Sequence, residues 1–391
     1  MPWAMRLLLS LALLVALAKT TRAQYPAKCD ANRDCIGRAI TTTVTYGKGA
    51  QYTDVDTSYR LANFDTAITF EAWISPQPQP GKIQYIAGLW GPNKDNNDQW
   101  VLYLRDNTLT FALSMDNSYK GDSDNTIVTA TVPTMYTTPW HHIAAEWDAG
   151  SRQARLYIDG VFAASAGNAV YPLMRLHRPE NRLLPLQIGS SNALYDDTLN
   201  RRSFKGQIDE VRLWRRSLSD AEIACQRLVS LNGNEPGLEL YYRCNEAPGS
   251  QYLCDATGNN HIGLLRSGAY CDSSHRVVPL TYTVTPTGAT AKLICTEDTV
   301  FTFTLTDTSL CGDRVVIGLY GRDANLFKVS RSSILLAKGV PDTFSVSVHT
   351  DLIGQVVAGV YVYNANSCGL PVYIPLTIDR TTELQYSTTR L

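Results

Sequence analysis

The sequence predicts an exported all-β protein built as two successive sandwiches, and three observations carry that prediction. Apolar and polar residues alternate with period two through most of the chain after residue 40, as half-buried strands require. Turn pairs such as Asp106-Asn107 and Asp159-Gly160 separate the alternating runs. Near residue 277 the texture changes from tryptophan-bearing strands to Thr- and Val-rich strands without tryptophan.

The chain has 391 residues, 44% hydrophobic and 18% charged, which suits packed cores and is too apolar for a disordered chain. Basic and acidic side chains number 35 and 36, leaving a net charge of −1. Nucleic acid is not an expected partner, because binding a polyanion requires clustered Lys and Arg. Residues 1–23 read as a secretory signal: Arg6, an apolar run from Leu7 to Ala18, then Thr21-Arg22-Ala23. That run is shorter than the roughly 20 residues needed to span a bilayer, and no later segment is long and apolar enough.

Nine cysteines suit an oxidising compartment. Cys29 and Cys35 lie in a short N-terminal segment, 24–40. No CxxC occurs, so neither a zinc ribbon nor a thioredoxin-type motif is indicated. The favoured pairing is Cys244 with Cys254, because Pro248-Gly249 between them suggests a turn that brings the flanks together.

In chain order, strands are expected at Ile68 to Ile74, Val101 to Leu104, Leu109 to Leu113, Trp140 to Trp147, Ala154 to Ile158, Val161 to Ala163, Leu184 to Ile188, Gly206 to Trp214 and Leu238 to Arg243. One helix interrupts them. Ser219-Asp220-Ala221-Glu222 is a capping box, and the helix is expected to end near Leu231-Asn232-Gly233. Beyond residue 277, Thr299 to Leu305, Val315 to Leu319, Thr343 to Val348, Val356 to Tyr363 and Val372 to Ile378 suit an immunoglobulin-like sandwich.

Phe70-Glu71-Ala72-Trp73-Ile74, Trp140-His141-His142-Ile143-Ala144, Leu156-Tyr157-Ile158-Asp159-Gly160, Ile188-Gly189-Ser190, Phe204 to Trp214 with Leu218 to Ile223, and Asp255 to Asn260 follow one another in a recognisable order. The set resembles the LamG-like jelly-roll domain of the concanavalin A-like superfamily, placed at 41–276. Residues 277–391 resemble, more loosely, immunoglobulin-like modules of the ASPM/SPD-2/hydin type, through Phe327 to Ser330, Ile334 to Leu336 and Phe344 to Val348. Such modules are usually spacers or docking units.

Chemistry is sought and not found. Glu146-Trp147-Asp148 opens the Glu-x-Asp-x-x-Glu pattern of superfamily glycosidases, but Ser151 stands where the third carboxylate is required. Asp209 and Glu210 are adjacent, so on a regular strand they face opposite ways. His141 and His142 read as structural, with one of the two facing inward. Trp73, Trp140, Trp147 and Trp214 read as core.

Pentraxins share the jelly-roll fold, and the resemblance implies a calcium face between two loops, here 91–99 and 190–197. Asp95, Asp98, Asp196 and Asp197 are the candidate ligands, since calcium takes six to eight oxygens. Ser190, Ser191 and Asn192 stand where pentraxins carry acidic side chains, and Asn- and Asp-rich loops also simply suit turns. Trp90 and Tyr195 could stack on a sugar ring while Asn97 and Asp98 take hydroxyls. The expected function is a secreted or cell-surface, non-enzymatic binding protein recognising a glycan or an extracellular protein through jelly-roll loops, with calcium as a candidate cofactor. Its rivals are a purely structural matrix protein and a polysaccharide-degrading enzyme or accessory module.

Overall fold

In the computed structural model, the residues described are 37–43, 51–55, 61, 64, 66–90, 99–115, 126–170, 173–174, 185–190, 203–274, 282–294, 298–308, 314–349, 354–364 and 371–381. The expected signal segment, 1–23, lies outside them.

Strands up to Ser273 form two eight-stranded sheets. The first runs β10 (Val161–Gly167), β9 (Gln153–Ile158), β8 (His141–Asp148), β3 (Ala67–Pro76), β12 (Gly206–Trp214), β1 (Arg38–Thr42) and β16 (Tyr270–Ser273). β13 (Leu238–Tyr242) also pairs with β12. The second runs β14 (Tyr252–Leu253), β15 (Gly263–Arg266), β2 (Tyr52–Val55), β11 (Gln187–Ile188), β4 (Ile83–Leu89), β5 (Trp100–Arg105), β6 (Thr108–Leu113) and β7 (Thr126–Thr131).

Alternation places Ile68, Phe70, Ala72 and Ile74 of β3 in one core with Trp100, Leu102, Phe111 and Trp147. Two-residue turns at Asp106-Asn107 and Asp159-Gly160 connect β5 to β6 and β9 to β10; Asp106, Asp159 and Gly160 take the left-handed backbone such turns need. This is a concanavalin A-like arrangement of facing sheets.

The single α-helix among the described residues, α1 (Asp220–Gln226), is capped as the sequence foretold, with Ser219 and Glu222 bonding reciprocally. It ends earlier than Leu231. Side chains from the sheet take the carbonyls that follow: Arg212 Nη1 donates to Gln226 O, Trp73 Nε1 to Arg227 O and Arg212 Nη2 to Val229 O. Of the expected strand Leu184 to Ile188, Gln187–Ile188 is strand, and Leu184 lies outside the described residues.

The later strands form a second sandwich. A four-stranded sheet runs β17 (Tyr282–Thr285), β19 (Thr299–Asp307), β23 (Asp342–Val348) and β21 (Phe327–Val329). A five-stranded sheet runs β18 (Ala289–Ile294), β25 (Val372–Thr381), β24 (Gly354–Asn364), β20 (Arg314–Tyr320) and β22 (Ser333–Leu335). Phe303 stacks on Phe344 at 5.1 Å in a core shared with Val360 and Ile374.

Candidate binding face

The titratable residues that invite a catalytic reading are consumed by the outer face of the first sheet. Thr69, Glu71 and Trp73 of β3 point away from the main core, and the chain around α1 covers them: Thr69 Oγ1 donates to Arg216 O, and Trp73 Nε1 donates to Arg227 O. Beneath that cover Arg212 Nη2 lies 2.9 Å from Glu210 Oε2 and Arg212 Nη1 lies 3.4 Å from Glu71 Oε1. His142 Nε2 lies 3.4 Å from Glu71 Oε2, Trp214 Nε1 donates to Glu71 Oε1, and Tyr241 Oη donates to Glu210 Oε2. Burial works against the charge on Glu71, yet His142 and Arg212 outweigh it and hold its pKa below the ordinary value. His142 is lowered, chiefly by burial.

Both histidines are buried, where alternation placed only one inside. His141 faces the other way from His142 but meets its own partners, Asp159 Oδ2 at 2.8 Å and the Thr134 carbonyl at 3.1 Å. The reason is that the first sheet is covered on both faces.

The expectation that Asp209 and Glu210 face opposite ways also fails. A β-bulge falls between Asp209 and Arg212, and Glu210 sits in it at φ 51°. The register leaves Asp209 opposite Trp73 while Glu210 reaches Arg212 on that same outer face. Glu146 is buried, accepts from Leu218 N and pairs with Arg155; burial raises its pKa. Asp148 ends β8 and accepts from Gly150 N and Ser151 N, so it closes a turn.

The predicted pairing of Cys244 with Cys254 is not made. Cys244 is a free, buried thiol, whereas Cys254 and Cys225 are disulfide-bonded. Cys244 takes a left-handed backbone, φ 57°, that turns its sulfur into the core, 3.7 Å from Tyr242 O.

The outer face of the second sheet is different. Tyr85 and Tyr103 meet edge to face at 5.9 Å, and partly buried Trp90 packs with them against Val101 and Ala112. In the adjoining register row, Gln187 pairs with Gly88, which pairs with Val101. Gln187 Nε2 donates to Asp54 Oδ1, Asp54 Oδ2 meets Arg266 Nε at 3.2 Å, and the buried Gln187 Oε1 accepts no hydrogen bond from any described residue. One face therefore combines buried Tyr85 and partly buried Trp90 and Tyr103 with a buried acceptor that no described residue meets.

Trp90 is the one predicted contact residue that falls within the description. Asp95, Asn97 and Asp98, and Tyr195, Asp196 and Asp197, lie outside the described residues. Among the described residues no cluster of three or more His, Cys, Asp or Glu could hold a metal ion. Tyr85, Tyr103 and Gln187 were missed by the sequence reading. The alternating positions of Tyr85 and Tyr103 could have marked the tyrosines, but only the register reveals Gln187.

Residues 47–224 match the family described as the concanavalin A-like lectin/glucanases superfamily. No curated protein is a detectable relative. Among solved structures, a candidate carbohydrate-binding protein from Bacteroides ovatus is 19% identical, with a TM-score of 0.44, over 61% of this chain and 60% of its own. A heptameric SAP-like pentraxin from Limulus polyphemus is 13% identical, with a TM-score of 0.39, over 62% of this chain and 97% of its own. The CBM40 of a Ruminococcus gnavus IT-sialidase is 14% identical, with a TM-score of 0.36, over 49% of this chain and 98% of its own. This chain thus spans less than two thirds of the Bacteroides protein's length. No helix among the described residues is long and apolar enough to cross a membrane.

Proposed function

We propose that the protein is a non-enzymatic glycan-binding protein acting outside the cell, which holds its ligand on the outer face of the second sheet and the loops that rise from it. The observation that carries this reading is the conjunction on one face of Trp90, Tyr85 and Tyr103 with Gln187 Oε1, an acceptor that no described residue meets. Sugars present apolar C–H faces to aromatic planes and hydroxyl donors to such acceptors. The match of residues 47–224 to a superfamily of lectins and glucanases supports the class. The sequestration of Glu71, Glu146, Glu210, His141 and His142 in structural hydrogen bonds and ion pairs supports binding over hydrolysis.

A glycan array probed with the purified chain, with and without EDTA, tests the proposal. Binding to at least one glycan is expected, weakened by Trp90→Ala. Loss in EDTA would add calcium, held by Asp95, Asp98, Asp196 and Asp197, to the proposal. No binding on any glycan would favour a structural protein instead, and hydrolysis of a polysaccharide would overturn the non-enzymatic reading.

A further inference from the structure

The outer face of the five-stranded sheet carries four tyrosines on three neighbouring strands. The register sets Gly318 opposite Tyr361, Tyr320 opposite Gly359, and Tyr361 opposite Tyr373. Each glycine lies under a ring. A Cβ on Gly318 would stand 2.2 Å from Cζ and Oη of Tyr361, and a Cβ on Gly359 would stand 2.2 Å from Cε1 and Cζ of Tyr320. The two tyrosines therefore lie reciprocally across each other's strand, which any larger residue at 318 or 359 would prevent. Tyr361 stacks with Tyr363 at 6.1 Å and 26°, and Tyr320 meets Tyr373 edge to face at 5.2 Å and 84°. Tyr373 is 60% exposed, and the other three rings are partly exposed.

The charge pattern selects the ligand. Among the described residues, the register rows from Val316 to Thr377 on this face carry no charged side chain, while four phenol hydroxyls border the rings. Arg322 and Asp323, which follow β20, neutralise each other at 2.8 Å. An uncharged aromatic surface that carries hydroxyls complements a ligand that is itself uncharged, has apolar C–H faces and offers hydroxyl groups.

We propose that Tyr320, Tyr361, Tyr363 and Tyr373 form a second binding site, for a neutral oligosaccharide chain laid along the sheet. Gly318 and Gly359 serve as positioning residues that let the rings lie across the strands. The site is separate from the Trp90 face and stands or falls without it.

The test titrates the full chain with cellohexaose, xylohexaose and chitohexaose by saturation-transfer NMR, in the natural protein, Trp90→Ala, the Tyr361→Ala/Tyr373→Ala double variant and Gly318→Ala. At least one hexasaccharide is expected to bind, with affinity kept in Trp90→Ala and reduced tenfold or more in the tyrosine double variant. Gly318→Ala should weaken binding by displacing the Tyr361 ring while removing no phenol. Should its added Cβ impair folding, as circular dichroism would reveal, the exposed Tyr373→Ala single variant takes over the test. Retention of binding in Trp90→Ala together with loss in the tyrosine variants supports this site even if no glycan depends on Trp90. The proposal is overturned if none of the three saccharides binds, or if binding ignores the tyrosine substitutions. It is also overturned if the tyrosines respond only to a deca-proline peptide or to self-association.

Discussion

The outer face of the first sheet and the outer face of the five-stranded sheet both lack a facing sheet, and they meet that lack in opposite ways. The former carries Glu71, Glu210, Arg212 and His142, and the chain around α1 closes over them, supplying carbonyls at Gln226 and Val229 to Arg212. The latter carries tyrosines lying over glycines and remains open. Charges on a covered face must be satisfied by the cover, because an uncompensated buried charge costs several kcal/mol. An open face carries no such obligation, and its rings are free to meet a ligand.

Breaking the covered network should produce the largest effect. Arg212→Ala leaves Glu71 and Glu210 without their shared cation and is expected to destabilise the protein by about 3–5 kcal/mol, read as a lowered urea midpoint. A change under about 1 kcal/mol would show that water enters this cluster and that the cover is looser than described. Ser219→Ala removes the cap that fixes the start of the covering helix, and a loss of about 1 kcal/mol is expected.

The same cap has a pH signature. Arg216 first, then Ser219, hold the Glu222 pKa down to about 2 from its ordinary 4.5. A carboxylate depressed by folding stabilises the native state above its unfolded pKa, and that contribution fades as pH falls through the folded value. The difference in thermal midpoint between the natural protein and Glu222→Gln should therefore be constant above about pH 5 and shrink toward pH 2. A difference independent of pH would remove the ionic part of the capping box. The smallest effect belongs to the open face: Tyr373→Ala should shift stability by no more than about 0.5 kcal/mol, since the ring is mostly exposed. A larger loss would mean that the tyrosines are packing elements and would erase the contrast between the two faces.

What the sequence made legible is what neighbouring residues settle among themselves. The capping box at Ser219 to Glu222 and the turn at Asp159-Gly160 are decided within a few positions, and the extent of β12 matched its alternation, Gly206 to Trp214. The bulge at Glu210 was not legible, because it depends on how β12 pairs with β3, more than 130 residues earlier in the chain. Burial of His142 in addition to His141 was hidden for the same reason: the cover that encloses the outer face comes from the chain around α1. Cys244 misled because proximity to Cys254 says nothing of a left-handed backbone that aims its sulfur into the core. On the candidate faces, aromatic residues were visible individually, but the partners that give them meaning, Gln187 beside Gly88 and Tyr361 over Gly318, emerge only from strand register.

The central claim is that ligand contact belongs to aromatic side chains on the outer sheet faces while the ionisable groups hold the fold together. Tryptophan fluorescence tests it most directly, because Trp73, Trp100, Trp140, Trp147 and Trp214 are at most 9% exposed and Trp90 is the more accessible described indole. Titration with a glycan selected on the array should change the emission of the natural protein and leave Trp90→Ala silent. An unchanged response in Trp90→Ala, or release of shortened sugar chains during the titration, would contradict the account.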